Sequence, residues 1–294
     1  MTQKQVITKP EEIKRVIPLA GGRGLPLSHP LVMGILNVTP DSFSDGGMFD
    51  SPEKAVERAL KMVTEGADLI DIGGESTRPG AEPIEPETEL KRILPVIKGV
   101  RQQSGVCISV DTYHAATAEA ALDAGADIVN DISALRFDLS MVRVVAERKV
   151  PVVLMHMQGA PRNMQKNPSY ADCVEEVASF FEERIDFCVR SGVDKSKIIL
   201  DPGIGFGKRL SDNLSLLAHL SRFREFRRPL LVGVSRKSFI GMLHKSENAP
   251  DERLGGSIAA AVTAARNGAD ILRVHDIAPT VEALKIALGI ETAG

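Results

Sequence analysis

Asp111 and Asp201 each close an apolar run, Ile108-Ser109-Val110-Asp111 and Ile198-Ile199-Leu200-Asp201. Either aspartate alone reads equally well as a helix cap or a loop brace. With Asn130 they offer two carboxylates and an amide to the edge of a flat nitrogen heterocycle. A carboxylate that accepts from two adjacent N–H groups orients its ligand through charge-assisted bonds. A second set is cationic. Lys237, in Ser235-Arg236-Lys237-Ser238, follows the run Leu230-Leu231-Val232-Gly233-Val234, and Arg273 and His275 end the last apolar run. Arg78 adds a third source of charge from Glu75-Ser76-Thr77-Arg78-Pro79-Gly80. A lone basic pair is ordinarily a surface feature. Cations from three separate strand ends point instead to an anionic group, and arginine matches phosphate geometrically. A third feature is Asn37, where a buried run stops and a loop with Asp41, Asp45 and two glycines begins.

Other chemistries fit less well. Gly203-Ile204-Gly205-Phe206-Gly207-Lys208 fails the dinucleotide pattern at Lys208, and it fails the P-loop pattern at Pro202 and Arg209. It reads as a tight loop in which Phe206 is either a wall of the site or a packing residue. Asp41-Ser42-Phe43-Ser44-Asp45-Gly46 departs from a calcium loop at Phe43 and at Pro52. No His-Glu-x-x-His or Cys/His cluster suits a protein-held zinc. No serine or cysteine shows a nucleophile elbow. A net charge of −3 and 4% aromatic residues argue against a nucleic-acid surface. Cys107, Cys173 and Cys188 form no Cys-x-x-Cys pair and read as free thiols of a reducing compartment. The N-terminal residues lack a signal-like apolar segment, and no run reaches membrane-spanning length, so a cytoplasmic protein is expected.

The elements that must position these groups alternate along the chain. Apolar strands are expected over 32–37, 67–73, 106–111, 126–131, 151–156, 197–201, 230–235 and 269–274, with amphipathic helices between them. Gly66-Ala67-Asp68, Gly125-Ala126-Asp127 and Gly268-Ala269-Asp270 repeat one helix-stop-strand junction, in which glycine supplies the left-handed conformation that ends a helix. Eight such units predict an α/β (β/α)8 TIM barrel over residues 31–290. Residues 1–30 read as a flexible tail and a turn-rich lead-in. An open doubly wound sheet would normally carry a glycine-rich first turn, which is absent. In a barrel of this kind the strand carboxyl ends form the active-site rim. Here those ends carry Asn37, Asp71, Asp111, Asn130 with Asp131, His156, Asp201, Ser235 to Lys237, and Arg273 to His275.

The stretch Met33-Gly34-Ile35-Leu36-Asn37-Val38-Thr39-Pro40-Asp41-Ser42-Phe43-Ser44-Asp45-Gly46-Gly47 closely resembles the first strand and loop of the dihydropteroate synthases, the folate enzymes that sulfonamides target. Asp71-Ile72-Gly73-Gly74-Glu75-Ser76-Thr77-Arg78-Pro79-Gly80, Val129-Asn130-Asp131-Ile132, Met155-His156-Met157-Gln158-Gly159, the Asp201–Lys208 segment, Ser235-Arg236-Lys237-Ser238-Phe239 and Arg273-Val274-His275-Asp276 extend the likeness. The resemblance implies that 4-aminobenzoate is joined to (7,8-dihydropterin-6-yl)methyl diphosphate, giving 7,8-dihydropteroate and diphosphate. It implies that Asp111, Asn130, Asp201 and Lys237 bind the pterin in a slot shaped by Ile132, Met155, Phe206 and Gly233. By the same likeness Thr77, Arg78, Arg273 and His275 take the diphosphate, Asn37 contacts Mg²⁺, and Phe43, Pro79 and Ser235 line the aminobenzoate site. Asp111, Asp201, Lys237 and Arg273 are then the expected catalytic groups, and a homodimer is the expected assembly. A pterin-dependent methyltransferase would have no need of the Asn37 loop or of Thr77-Arg78. A non-catalytic pterin-binding paralogue would be expected to have lost Asn37, Arg78 or Lys237.

Overall fold

The computed structural model describes residues 15–39, 51–76, 80–244 and 249–293. Two short strands, β1 (Val16–Pro18) and β2 (Gly24–Pro26), pair antiparallel. Eight more are parallel: β3 (Leu31–Asn37), β4 (Leu69–Gly73), β5 (Cys107–Asp111), β6 (Ile128–Asp131), β7 (Val152–Met155), β8 (Ile198–Asp201), β9 (Leu231–Gly233) and β10 (Ile271–Val274). They are hydrogen-bonded in the order β8-β7-β6-β5-β4-β3-β10-β9. A parallel bridge between Leu200 and Leu230 joins the two ends of that series, and Leu200 N–H donates to Pro229 O at 2.9 Å. The sheet is thus the expected barrel, with strand boundaries shifted by a residue or two.

Helices α1 (Pro52–Thr64), α2 (Pro86–Gln103), α3 (Ala115–Asp123), α4 (Met141–Arg148), α5 (Cys173–Arg190) and α6 (Leu210–Ala218) alternate with the strands. The connection from β9 to β10 holds both α7 (Ser238–His244) and α8 (Leu254–Arg266), and α9 (Ile277–Thr292) ends the fold. Local sequence explains their limits. Pro52 and Pro86 stand in the first turns of α1 and α2, where proline's missing N–H has no helical partner to lose. Asp172 caps α5 by accepting from the N–H groups of Val174 and Glu175. Ala55, Val56, Ala59 and Met62 form the buried stripe of α1.

The two-residue period of each strand sorts its side chains. Ile70, Ile72, Ile108, Val110, Val129, Val152, Leu154, Ile198, Leu200, Val232 and Leu272 face outward and pack with the helices. Leu31, Met33, Leu69, Cys107, Ile128, Val153, Ile199, Leu231 and Ile271 fill the lower barrel interior. The N-terminal lead-in contributes to this layer. Its β1–β2 hairpin inserts Ile17, Leu19 and Leu25 into the same apolar cluster and closes the barrel floor. Isolated three-residue strands carry little periodic signal, so this buried face shows only in three dimensions.

The Gly-Ala-Asp echo has a structural reason. Gly66, Gly125 and Gly268 all have positive φ, at 102°, 113° and 107°. Each following aspartate then clamps the preceding strand in both directions. Asp68 N–H donates to Val32 O at 2.9 Å, and its carboxylate accepts from Val32 N–H at 2.8 Å. Asp127 does the same with Ile108, at 2.7 Å and 2.9 Å. Asp270 does so with Leu230, at 2.8 Å and 2.9 Å. Two of the three carry arginines as well. Arg101 reaches Asp127 at 2.7 Å, with Arg23 on its other oxygen, and Arg15 reaches Asp270 at 2.8 Å.

These differences rank the clamps. Asp127 is almost fully buried beneath two partly exposed guanidinium groups, so Asp127→Ala loses charge-assisted bonds as well as the bond to Ile108 N–H and costs more than the loss of one backbone bond. Asp68→Ala loses one backbone bond, for about 1–3 kcal/mol. Urea unfolding of the two variants checks the order. Equal losses would mean that the arginines contribute nothing to the floor.

Candidate active site

Above the apolar layer, the same inward positions become polar. Two residues beyond Val153, Ile199, Leu231 and Ile271 stand Met155, Asp201, Gly233 and Arg273, and two beyond Ile128 stands Asn130. Asp71 and Asp111 follow the same parity on β4 and β5. Asp111, Asn130, Ile132, Met155, Asp201, Gly203, Ile204, Phe206, Gly233, Lys237 and Arg273 line one pocket at the strand carboxyl ends. Ten of these positions come from β5 to β9 and their loops, and Arg273 closes the circle from β10. Ile132 and Met155 belong to an apolar cluster with Met157 and Met164, against which Tyr113 and Phe206 pack. Phe206, which the sequence left between wall and packing, therefore serves as both.

Arg273 organises the charge. Its Nε donates to Asp71 Oδ2 and its Nη2 to Asp111 Oδ2, both at 2.6 Å. Asn130 Nδ2 adds a 3.0 Å bond to the same Asp71 oxygen. Asp71 is fully buried, and its Oδ1 has no hydrogen-bond partner among the described residues. Burial drives the Asp111 carboxyl up to about 7, against the pull of Arg273 and with a further push from Asp71, Glu89 and Asp131. Burial works against the Arg273 charge, but Asp71 and Asp111 outweigh it and raise the guanidinium above its ordinary value. Nη1 is the Arg273 nitrogen not committed to these carboxylates.

Across the pocket, Asp201 Oδ1 accepts from Gly203 N–H at 2.7 Å. Burial pushes its carboxyl up, opposed by that bond and by Lys237, Lys208 and Arg273. Lys237 Nζ donates to Ile204 O at 2.8 Å and lies 4.2 Å from the Phe206 ring centroid. Burial lowers the ammonium to about 8, with Asp201 resisting. The Gly203–Gly207 loop is set by close backbone approach rather than by a nucleotide. Gly203 has φ +66°, and a Cβ there would collide with His156 O. Gly207 has φ +62°, and its Cβ would collide with Gln158 O.

The rim residues read from sequence separate into distinct roles. Asp131 turns away from the pocket and braces its loop by accepting from Ser133 and Leu135 N–H groups at 2.7 and 2.9 Å. Arg236 pairs with Asp276 at 2.7 Å, so only Lys237 of that basic pair enters the pocket. Ser235 is buried, and its Oγ lies 3.0 Å from His275 Nδ1 and accepts from His275 N–H at 3.2 Å. Asn37 ends β3 opposite Gly73 with a half-buried side chain at the same barrel end. Phe43, Thr77, Arg78 and Pro79 lie outside the described residues.

The sequence places Asp71 on the rim as a strand end but gives no role to it, to Glu75 or to His114. Asp71 was one polar residue in an apolar strand, although its parity with Asp111 was a usable signal. Glu75 and His114 were invisible as a pair. Glu75 Oε1 accepts from Tyr113 Oη–H at 2.7 Å, and His114 Nε2 stands 3.8 Å from Glu75 Oε2. Nearby, buried Glu89 accepts from Thr112 Oγ1 at 3.0 Å. These contacts fix the base of the loop that leads to residue 77.

The site is a pocket that gathers carboxylates, an amide, a lysine beside an aromatic ring, and an arginine held by Asp71 and Asp111. Comparisons with known proteins agree with it. The family model for pterin binding enzymes matches residues 33–275. The dihydropteroate synthase of Escherichia coli K12 is 52% identical, over 91% of this chain and 94% of that protein. The Xanthomonas albilineans dihydropteroate synthase with 4-aminobenzoic acid superposes with a TM-score of 0.89 at 47% identity, covering 95% of this chain and 98% of that one. The same enzyme in complex with 7,8-dihydropteroate gives 0.85 at 45% identity, covering 94% and 98%. A likeness this high over almost the whole of both chains leaves one placement: the chain belongs to the pterin-binding enzyme family and, within it, to the dihydropteroate synthases.

Proposed function

We propose that the slot binds (7,8-dihydropterin-6-yl)methyl diphosphate and that 4-aminobenzoate attacks its exocyclic methylene. The carbon–oxygen bond to diphosphate breaks, the amine nitrogen bonds to the same carbon, and the amine loses one proton. The observation that carries this reading is the convergence of Asp111, Asn130, Asp201, Lys237 and Arg273 on one pocket. Asp201 and Asn130 face the heterocycle edge, where a carboxylate accepts from adjacent N–H donors. Ile132, Met155, Gly233 and Phe206 hold the ring flat. Departure of diphosphate leaves positive charge on the pterin methylene. Asp71, Asp111 and Asp201 outnumber Arg273 and Lys237 there, so a net negative interior favours that charge. The aromatic amine is its own nucleophile, which accounts for a site with no serine or cysteine in that role.

At the mouth, Arg273 Nη1 and His275 would receive the leaving diphosphate, with Thr77 and Arg78 joining them on the sequence reading. Ser235 supports this by orienting His275 rather than by reaching the slot. Its assignment to the aminobenzoate site, with Phe43 and Pro79, rests on resemblance. Mg²⁺ fits the donor available: Asn37 presents a hard amide oxygen at the rim, and magnesium retains waters and phosphate oxygens while taking few protein ligands. Bound there, it would neutralise diphosphate charge.

We also infer a homodimer in a cytoplasmic setting. Among the described residues no helix is long and apolar enough to cross a membrane, and the three cysteines are free and buried. Met242, Leu243, Leu254, Ile286, Leu288 and Ile290 are exposed apolar side chains on α7, α8 and α9, a surface suited to a second copy. Light scattering on the purified protein should return the mass of two chains; the mass of one would end the dimer inference.

Asp201→Asn exchanges an acceptor for a donor at the heterocycle edge. The expected loss of dihydropterin affinity is about 1.5–3 kcal/mol, with aminobenzoate turnover kinetics limited through the pterin KM. Calorimetry decides, and unchanged affinity would reduce Asp201 to a loop brace.

The site also sets a pH window. Asp111 must be ionised, and burial holds it near 7, so activity falls as pH drops through that value. Lys237 must be protonated, and burial holds it near 8, so activity falls as pH rises past it. The profile of kcat/KM for the pterin substrate should therefore be a narrow bell between these limbs. Lys237→Arg should move the alkaline limb upward while leaving the acid limb in place. A flat profile across both values would remove these groups from the rate-determining protonation states.

A further inference from the structure

Behind the slot lies a second lysine that the reaction does not use. Lys208 is 3% exposed. Its Nζ lies 3.0 Å from His156 Nδ1, 3.3 Å from His156 O and 3.1 Å from Phe206 O. Three acceptors match the three protons of an ammonium group. While Lys208 is an ammonium it has no lone pair, so His156 Nδ1 accepts and the imidazole is neutral with its proton on Nε2. Burial, then the neighbouring Lys208 charge, force the His156 pKa far down, in keeping with that tautomer.

We infer that Lys208 is a positioning residue for the pterin slot, locking the Gly203–Gly207 wall onto the end of β7. The role rests on the pterin reading of the slot. Two observations carry it. First, the loop already leans on β7 at Gly203 and Gly207, where side chains would collide with His156 O and Gln158 O. Lys208 spans the same seam, from the His156 carbonyl to the Phe206 carbonyl. Second, the other lysine bonded to this loop, Lys237 after β9, cannot serve as a permanent tie. Lys237 holds Ile204 O from the pocket side, where an arriving pterin competes for it. Lys208 holds Phe206 O from the far side, so the wall keeps its place when Lys237 turns to substrate. Its charge also acts on Asp201, together with Lys237 and Arg273. Cys173 of α5, Asp212 of α6, Asp201 and Lys237 are the ionisable groups acting on Lys208 itself, and burial draws its ammonium down to about 7.

The test compares Lys208→Met with Lys208→Arg in the full chain. The methionine keeps the apolar stem but loses donors and charge. The arginine keeps the charge but not the three-way fit. Turnover kinetics should give a KM for the pterin diphosphate raised about ten- to a hundred-fold in Lys208→Met, the scale on which a displaced site wall acts. The KM for 4-aminobenzoate should change less than about twofold, within the spread of an uninvolved position. Binding of a dihydropterin lacking diphosphate should show the same loss by calorimetry. If Lys208→Met does not fold, Lys208→Arg still decides, since the lost geometry alone should raise the pterin KM severalfold. Pterin binding within twofold of the parent in the folded variants would overturn the positioning role. Failure of the parent itself to bind the dihydropterin would instead overturn the pterin reading.

Discussion

The guanidinium of Arg273, forked between Asp71 and Asp111, is the interaction on which the top of the barrel depends. Three buried charges from β10, β4 and β5 could not be left unpaired inside a protein at tolerable cost. One cation shared by two carboxylates satisfies only part of the charge, and Asp71 Oδ1 is left without a partner among the described residues. That incompleteness has a use. On the proposed mechanism, a carboxylate oxygen left unpaired would favour a cationic methylene, to which a fully compensated interior would offer nothing. Burial, with a smaller push from Asp71, Glu89 and Asp131, raises the Asp111 carboxyl to about 7 despite Arg273.

Much of the architecture was legible because parallel strands are buried on both faces and read as plain apolar runs. The interruptions in those runs marked the rim. Strand parity then sorted the rim residues in a way that sequence listing could not. Asn130 and Asp131 are adjacent, yet one enters the slot and the other braces a loop behind the sheet. Ser235, Arg236 and Lys237 are consecutive, yet they orient a histidine, pair with an aspartate and line the slot respectively. Arg236 has a positive φ of 60°, and no local pattern announces such a turn. Contacts across large sequence separations were illegible for the same reason. Nothing near Asp71 reveals an arginine 202 residues away, and nothing near Lys208 reveals His156.

The division of labour between the two barrel ends is physical. The floor uses aspartates that each accept from a strand amide, and in Asp127 and Asp270 both oxygens are paired through arginines as well. The rim keeps carboxylates crowded, leaves Asp71 partly unpaired among the described residues, and by burial raises the carboxyls of Asp111 and Asp201. Strain of that kind persists only when the rest of the fold over-determines the backbone. The glycine-dependent seam between the β7 end and the Gly203–Gly207 loop is such a constraint, since it admits no other residue at its closest approaches.

The floor has a consequence for how the chain is made. Arg15 pairs with Asp270, 255 residues along the sequence, and the hairpin beside it seals an apolar layer drawn from every strand of the barrel. During synthesis, the hairpin is made before any barrel strand but has no completed surface to cover until β10 follows. Its apolar side chains must wait while the eight barrel strands are made. Closure of the barrel and docking of a segment made before all of its strands are therefore late, coupled events.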